Sequence, residues 1–220
     1  MNLPSRTALG RDAFFVAPTN AMALAMIDGW QGWAGGKLVL CGPEGAGKTH
    51  LTHVWAEMSG ARIIAATNVT KAAVPHLATT HIAVEDIQQI AQNPIAQTAL
   101  FHLHNLALAD GNSVLLTGDA PMQHWGLTLP DLESRLRGTT AVALDPPDDV
   151  LLGAVLVKLL ADRQLTPKPD LIPYLLSRID RSFASAIAVI TALDTASLAL
   201  KRPITRALAV QVLDKDTPPA

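Results

Sequence analysis

The sequence predicts an α/β fold: a five-stranded parallel sheet with helices on both faces, followed by a small C-terminal all-helical domain. Three observations carry this. Five short apolar runs, at residues 37–41 (KLVLC), 61–67 (ARIIAAT), 81–85 (HIAVE), 113–117 (SVLLT) and 139–144 (TTAVAL), are bounded by turn residues. Such runs read as strands buried on both faces. Helical segments alternate with them, which is the pattern of a parallel sheet with covered faces. The pattern then breaks at Asp145-Pro146-Pro147, after which only helical periodicity follows.

In chain order, residues 1–12 are polar and read as a flexible arm. Helical spacing starts after Thr19 or Asn20, either of which can cap, and continues through Met22, Ala23, Met26, Ile27 and Trp30. Gly35-Gly36 is the expected stop. Trp30 and Trp33 flank Gly32 and read as packing residues, with an exposed partner patch as the alternative. Helices are expected at 48–58 and 94–109, with shorter pieces at 71–77 and 87–91. Beyond the break, residues 148–165, 170–179, 183–200 and 204–213 read as helices. The expected organisation is an arm (1–12), an α/β domain (13–146), a helical domain (147–214) and a frayed tail (215–220).

Composition bounds the function. The 220 residues are 49% hydrophobic and 16% charged, with mean hydropathy +0.26, which excludes intrinsic disorder. Seventeen basic residues stand against 19 acidic ones, so strong autonomous nucleic-acid binding is disfavoured. One cysteine, Cys41, rules out an internal disulfide and points to a reducing cytoplasm. No unbroken apolar run reaches about 18 residues, so no membrane span is expected. The first residues contain no apolar core of a secretory signal. Seven histidines give no metal-ligand spacing: His50 and His53 are i, i+3, and His102 and His104 are i, i+2.

The strongest motif is Gly42-Pro43-Glu44-Gly45-Ala46-Gly47-Lys48-Thr49. It satisfies G-x-x-x-x-G-K-[ST] between a strand and a helix. Glycines let the backbone curl so that successive N–H groups face phosphate oxygens. The following helix aims its positive end at the same point. Lys48 is expected on the β- and γ-phosphates and Thr49 on Mg²⁺, with His50 next to them. Such loops need a carboxylate at the end of a neighbouring strand. Glu85 and Asp86 supply two: Glu85 for the Mg²⁺ shell and Asp86 to polarise water. The alternatives are a Gly-rich turn and two solvated charges.

With these motifs in place, the chain resembles the AAA+ domain of the bacterial replication initiator DnaA and, more closely, its short Hda/HdaA-type homologues. Phe14-Phe15-Val16-Ala17-Pro18-Thr19-Asn20 is similar to the family's F-V-x-G/A-P-x-N segment, which puts Phe15 and Val16 against adenine. VEDIQ at 84–88 resembles the family's I-D-D-I-Q, and LLTGDAP at 115–121 resembles sensor 1, implicating Asp119 or Thr117. LPDLESRL at 129–136 resembles the arginine-finger segment, so Arg135 is the implied finger, with Arg137 as rival. RIDRS at 178–182 resembles the opening of the sensor 2 helix. The resemblance implies bound ADP or ATP with Mg²⁺, DnaA as partner, and hydrolysis of DnaA-bound ATP stimulated by Arg135.

Three positions depart from the family. Glu85 stands where Asp is commoner, Ala120 where Arg often stands, and Ala184 where the sensor 2 arginine aligns, leaving Arg181 as its substitute. Together they argue for weak or absent intrinsic hydrolysis. DnaA continues into a basic helix-turn-helix domain, whereas this sequence is expected to end with the helical domain. The family's sliding-clamp peptide, Q-L-x-L-x-L, is represented only by Met1-Asn2-Leu3-Pro4, so clamp binding is implied by family alone. Homo-oligomerisation stays open. The competing readings are a nucleotide-binding adaptor in replication or cell-pole complexes and a small-molecule P-loop kinase; the long helical tail argues against the kinase.

Overall fold

The computed structural model describes residues 16–213. The expected arm, Phe15 and the 215–220 tail lie outside them. By its internal contacts the chain divides into two compact units after Asp145.

Unit one contains a five-stranded parallel sheet of order β2-β3-β4-β1-β5. The strands are β1 (Lys37–Cys41), β2 (Arg62–Ala65), β3 (Ile82–Glu85), β4 (Val114–Gly118) and β5 (Thr140–Ala143). Side-chain alternation sorts each strand between two cores. Val39, Cys41, Ile82, Val84, Val114 and Leu116 face α3 (Val74–Leu77), α4 (Pro94–Ala109) and α5 (Pro130–Arg137). Leu38, Leu40, Ala83 and Leu115 face α1 (Ala21–Asp28) and α2 (Lys48–Ser59). The expectation of strands buried on both faces holds for β1, β3 and β4. It fails for the edge strands: β2 is half-buried throughout, and β5 buries only Val142. A strand paired on one side only has no neighbour to cover its outer edge.

Several local readings shift for physical reasons. The second strand stops at Ala65, because residues 66–68 form a 3₁₀ turn. The first helix ends at Asp28 rather than running to Gly35, and two 3₁₀ turns follow it. Asn20 Oδ1 accepts the Ala17 N–H, 2.8 Å, instead of a donor in the helix's first turn. The turns put Trp33 onto Trp55, stacked with ring centroids 5.1 Å apart, and Trp30 edge-on to Trp55 at 6.3 Å. Trp33 Nε1 donates to the Met26 carbonyl. These tryptophans therefore lock the helix exit onto α2, as packing residues.

Unit two consists of α6 (Asp149–Ala161), α7 (Leu171–Leu176), α8 (Phe183–Leu200) and α9 (Arg206–Leu213) around its own apolar core. Asp148 and Ser182 cap α6 and α8 by accepting the N–H of Leu151 and Ser185. By length and composition α8 is apolar enough to cross a membrane, with a mean hydropathy of 1.8, although the sequence holds no unbroken apolar run of that length. Its Ala186, Val189, Ile190 and Leu193 pack into the helical core, and Asp194 faces Arg163 at 3.8 Å. Those are the contacts of a core helix.

Trp55 is fully buried at the centre of the α1–α2 face. Trp55→Ala should cost about 3–5 kcal/mol, measured by urea unfolding. A loss below about 1 kcal/mol would mean that this aromatic cluster does not hold the face together.

Candidate functional site

In a parallel sheet all strands end on one edge. Here the carboxyl ends of β1, β3 and β4 deliver the loop at 42–49, Glu85-Asp86 and Asp119 to that edge, with β4 between β3 and β1. Gly42 lies at φ 154°, and a Cβ there would run into the Leu144 carbonyl. Only glycine lets the chain leave β1 this close to the strand beside it. Gly47 has φ 101° and turns the backbone left-handed immediately before α2. Pro43 and Glu44 at the loop's crest are exposed, Gly45 is half-exposed, and Ala46 is buried beneath them. The loop thus brings the start of α2 to face inward over the sheet edge.

Lys48 is only 8% exposed. Its Nζ donates to the carbonyls of Gly42, 2.6 Å, and Pro43, 2.9 Å. Burial pulls its pKa down, and Asp86, Asp119 and Glu44 act against that by attraction. These three carboxylates act on Lys48 by longer-range attraction, and among the described residues none forms an ion pair with it. Thr49 and half-exposed His50 follow on the first turn of α2. Thr49 is exposed, as a residue that offers a metal ligand there would need to be.

Asp86 sits in the left-handed region at φ 60°, ψ 53°, which costs a non-glycine residue about 1 kcal/mol. Thr117 holds it there: fully buried Thr117 Oγ1 accepts the Asp86 N–H at 3.1 Å. Thr117 is thus engaged with the backbone of the acidic pair, whereas Asp119 is exposed and electrostatically coupled to Lys48. Sequence reasoning offered the two as rivals and missed the positioning role of Thr117. Its buried place at a strand end next to an acidic pair was the available signal.

Glu85 follows Ala83 by two residues and so lies on the α2 face of β3. Its Oε1 is buried without a hydrogen-bond partner. An orphaned carboxylate oxygen on the face of α2, with the Thr49 hydroxyl on that helix, fits a divalent cation. Among the described residues no cluster of three or more His, Cys, Asp or Glu forms a metal cage. A phosphate-bound Mg²⁺ needs none, since phosphates and waters supply most of its shell.

The remaining sequence candidates are Arg135 with its rival Arg137, Arg181 and Val16. Arg135 is exposed near the C-terminal end of α5, which leads into β5. Since Thr140 pairs with Leu38, α5 abuts the amino ends of the strands. Lys37 Nζ, at the start of β1, donates to the Arg135 carbonyl at 2.8 Å. The P-loop leaves the other end of β1, about 13 Å away along the strand. Arg137 pairs with Glu133 at 2.6 Å, whereas the described ion pairs leave the Arg135 guanidinium without a partner. In unit two, Arg181 forms a bidentate pair with Asp149, at 3.0 and 3.1 Å, and Ala184 is exposed. The structure thus commits the expected sensor 2 substitute to a carboxylate. Val16 is 58% exposed.

Residues 154–213 match the family model described as the lid domain of Hda. The structure of domain III of the replication initiation protein DnaA from Thermotoga maritima superposes with a TM-score of 0.83 at 18% identity, covering 99% of this chain and all of that one. The chain has the fold of DnaA domain III and carries an Hda-type lid. AMPPCP-bound DnaA from Aquifex aeolicus gives a TM-score of 0.70 at 21% identity, covering 84% of this chain and 65% of that chain. The Holliday junction branch migration motor RuvB of Thermotoga maritima gives 0.65 at 16% identity, with coverages of 81% and 61%. The segment that matches the Hda lid domain lies within the all-helical unit.

Close to Arg135, His104 is 1% exposed on α4, with Nδ1 3.2 Å from Asn105 Oδ1 and Nε2 unpartnered. Burial lowers its pKa below 6.5, and Lys37 and Arg135 add to this, while the Asn105 contact opposes it. The unfolded chain then takes up a proton that the folded chain refuses. Stability should fall as pH drops below about 6.5, and His104→Gln should flatten that slope in urea midpoints between pH 7 and 5. An unchanged slope in the variant would assign it to other groups.

Proposed function

We propose that this chain is an adenine-nucleotide-binding AAA+ regulator of chromosomal replication initiation, which stimulates hydrolysis of ATP bound to DnaA by presenting Arg135 as an arginine finger. One observation carries the reading: Arg135 stands at the opposite end of β1 from the chain's own P-loop and forms no ion pair among the described residues. An arginine so placed is out of reach of its own nucleotide and free to meet a neighbour's. A finger works in this way, by meeting charge that develops on a transferring phosphoryl group across an interface. Pairing of Arg137 with Glu133 favours Arg135 over its rival. The Hda-type lid and DnaA-like fold support DnaA as the partner.

The chain's own site would hold ADP or ATP through the 42–49 backbone and Lys48, with Thr49 and Glu85 on Mg²⁺. Mg²⁺ bound there would neutralise phosphate charge. Asp86 would orient water, and Asp119 would face the terminal phosphate. The solved DnaA structures that contain AMPPCP support a nucleotide here. Arg181 is engaged with Asp149 and Ala184 offers no charge, so intrinsic turnover should be slow. That engagement also favours a second reading, a nucleotide-binding adaptor in replication or cell-pole complexes without effect on DnaA turnover. We place the protein in the cytoplasm, and clamp binding stays with the N-terminal segment outside the described residues.

The test is hydrolysis of ATP preloaded on DnaA, with clamp and DNA present. Arg135→Ala should lose at least about 100-fold of the stimulation, whereas Arg137→Ala should stay within about two-fold of wild type. Full activity of Arg135→Ala would reject the finger, and absence of stimulation by the wild-type chain would favour the adaptor.

A further inference from the structure

Helix α5 ends two residues after Arg135, so the Arg135 carbonyl is one of the last four, which lack helical partners. Two side chains satisfy it. Lys37 Nζ donates at 2.8 Å and Thr139 Oγ1 at 3.3 Å. Lys37 comes from the first residue of β1, 98 positions away in sequence, so the bond ties the C-terminal turn of α5 to the central sheet. Burial depresses the lysine's pKa, and the charge of Arg135 adds to this. The ammonium is held by its hydrogen bond to the backbone, while the Arg135 residue itself is exposed.

We propose that Lys37 is a positioning residue for Arg135: it anchors the Arg135 backbone through the carbonyl, so that the exposed side chain is presented from a fixed base to an anionic target on another molecule. This rests on the finger reading above. Lys37 does not touch the partner's nucleotide and acts only through Arg135. Its β1 origin gives the finger a rigid base, because that strand pairs on both sides, with β4 and β5.

The experiment measures hydrolysis of ATP on DnaA as a function of the concentration of this chain, for wild type, Arg135→Ala, Lys37→Met and Lys37→Arg, with thermal midpoints alongside. Methionine keeps the apolar stem and removes the donor and the charge; arginine restores both. Lys37→Met should lower the maximal stimulated rate about five-fold, a loss smaller than that of removing the finger itself. The half-saturating concentration should stay within about two-fold, since docking is untouched. Lys37→Arg should restore the rate. A normal maximal rate in Lys37→Met, with Arg135→Ala inactive, would overturn the positioning role and leave the finger standing. A change confined to the half-saturating concentration, or a loss that Lys37→Arg does not restore, would overturn it equally. Should Lys37→Met prove unstable, Lys37→Arg and Thr139→Val carry the test: Thr139→Val removes the other donor and should lower the maximal rate without moving half-saturation, and no effect counts against the proposal. Full activity of Arg135→Ala, or no stimulation by wild type, would remove the finger reading and this one with it.

Discussion

The rest of the structure depends on one arrangement, the Lys48 ammonium held inside the turn between β1 and α2. A nearly buried cation is costly unless it is hydrogen-bonded and faced by opposite charge. Two loop carbonyls supply the hydrogen bonds, and Asp86, Asp119 and Glu44 supply the charge. The loop groups, Asp86 and Asp119 arrive from three different strand ends, those of β1, β3 and β4, so the site exists only if the parallel sheet has this order. A β-strand order of 2-3-4-1-5 places β4 between β1 and β3 and thereby brings Asp119 and Asp86 to the same edge as the loop. Gly42 is fixed by the same constraint, since any side chain there would meet the strand exit at Leu144.

The opposite edge has a different chemistry. Lys37, Arg135 and buried His104 gather there with no carboxylate among the causes that shift Lys37 or His104. One strand, β1, thus leads at one end into a loop whose lysine is attracted by three carboxylates and at the other holds the backbone of an arginine with no ion pair among the described residues. The first end suits a nucleotide of the chain's own. The second suits anionic charge brought by another molecule. On the proposed reading, separation along β1 keeps the two roles apart.

Much of this was legible in the sequence. The P-loop motif, its flanking strand and helix, and helices 94–109 and 183–200 lie where spacing puts them. Local signals suffice there because turn glycines, Pro94 with its Asn93 cap, and Ser182 act within a few residues. What the sequence left unread came from long-range facts. Edge position exposes β2 and β5 without altering their composition. The partner of Arg181 is Asp149, 32 residues away, and Thr117 reaches Asp86 across 31. The first helix stops early because the indole rings of Trp30 and Trp33 find Trp55 on α2. Lys37 appears in no motif, because its role is defined by a carbonyl 98 residues away.

The central claim is that the loop around Lys48 is a working phosphate site. Titration calorimetry of ADP and ATP into wild type and Lys48→Ala, with matched unfolding midpoints, tests it most directly. The account predicts saturable binding to wild type, weakened at least about tenfold in the variant, since a charged hydrogen bond is worth about 1.5–3 kcal/mol. Equal affinity in both, or no binding to wild type, would contradict it.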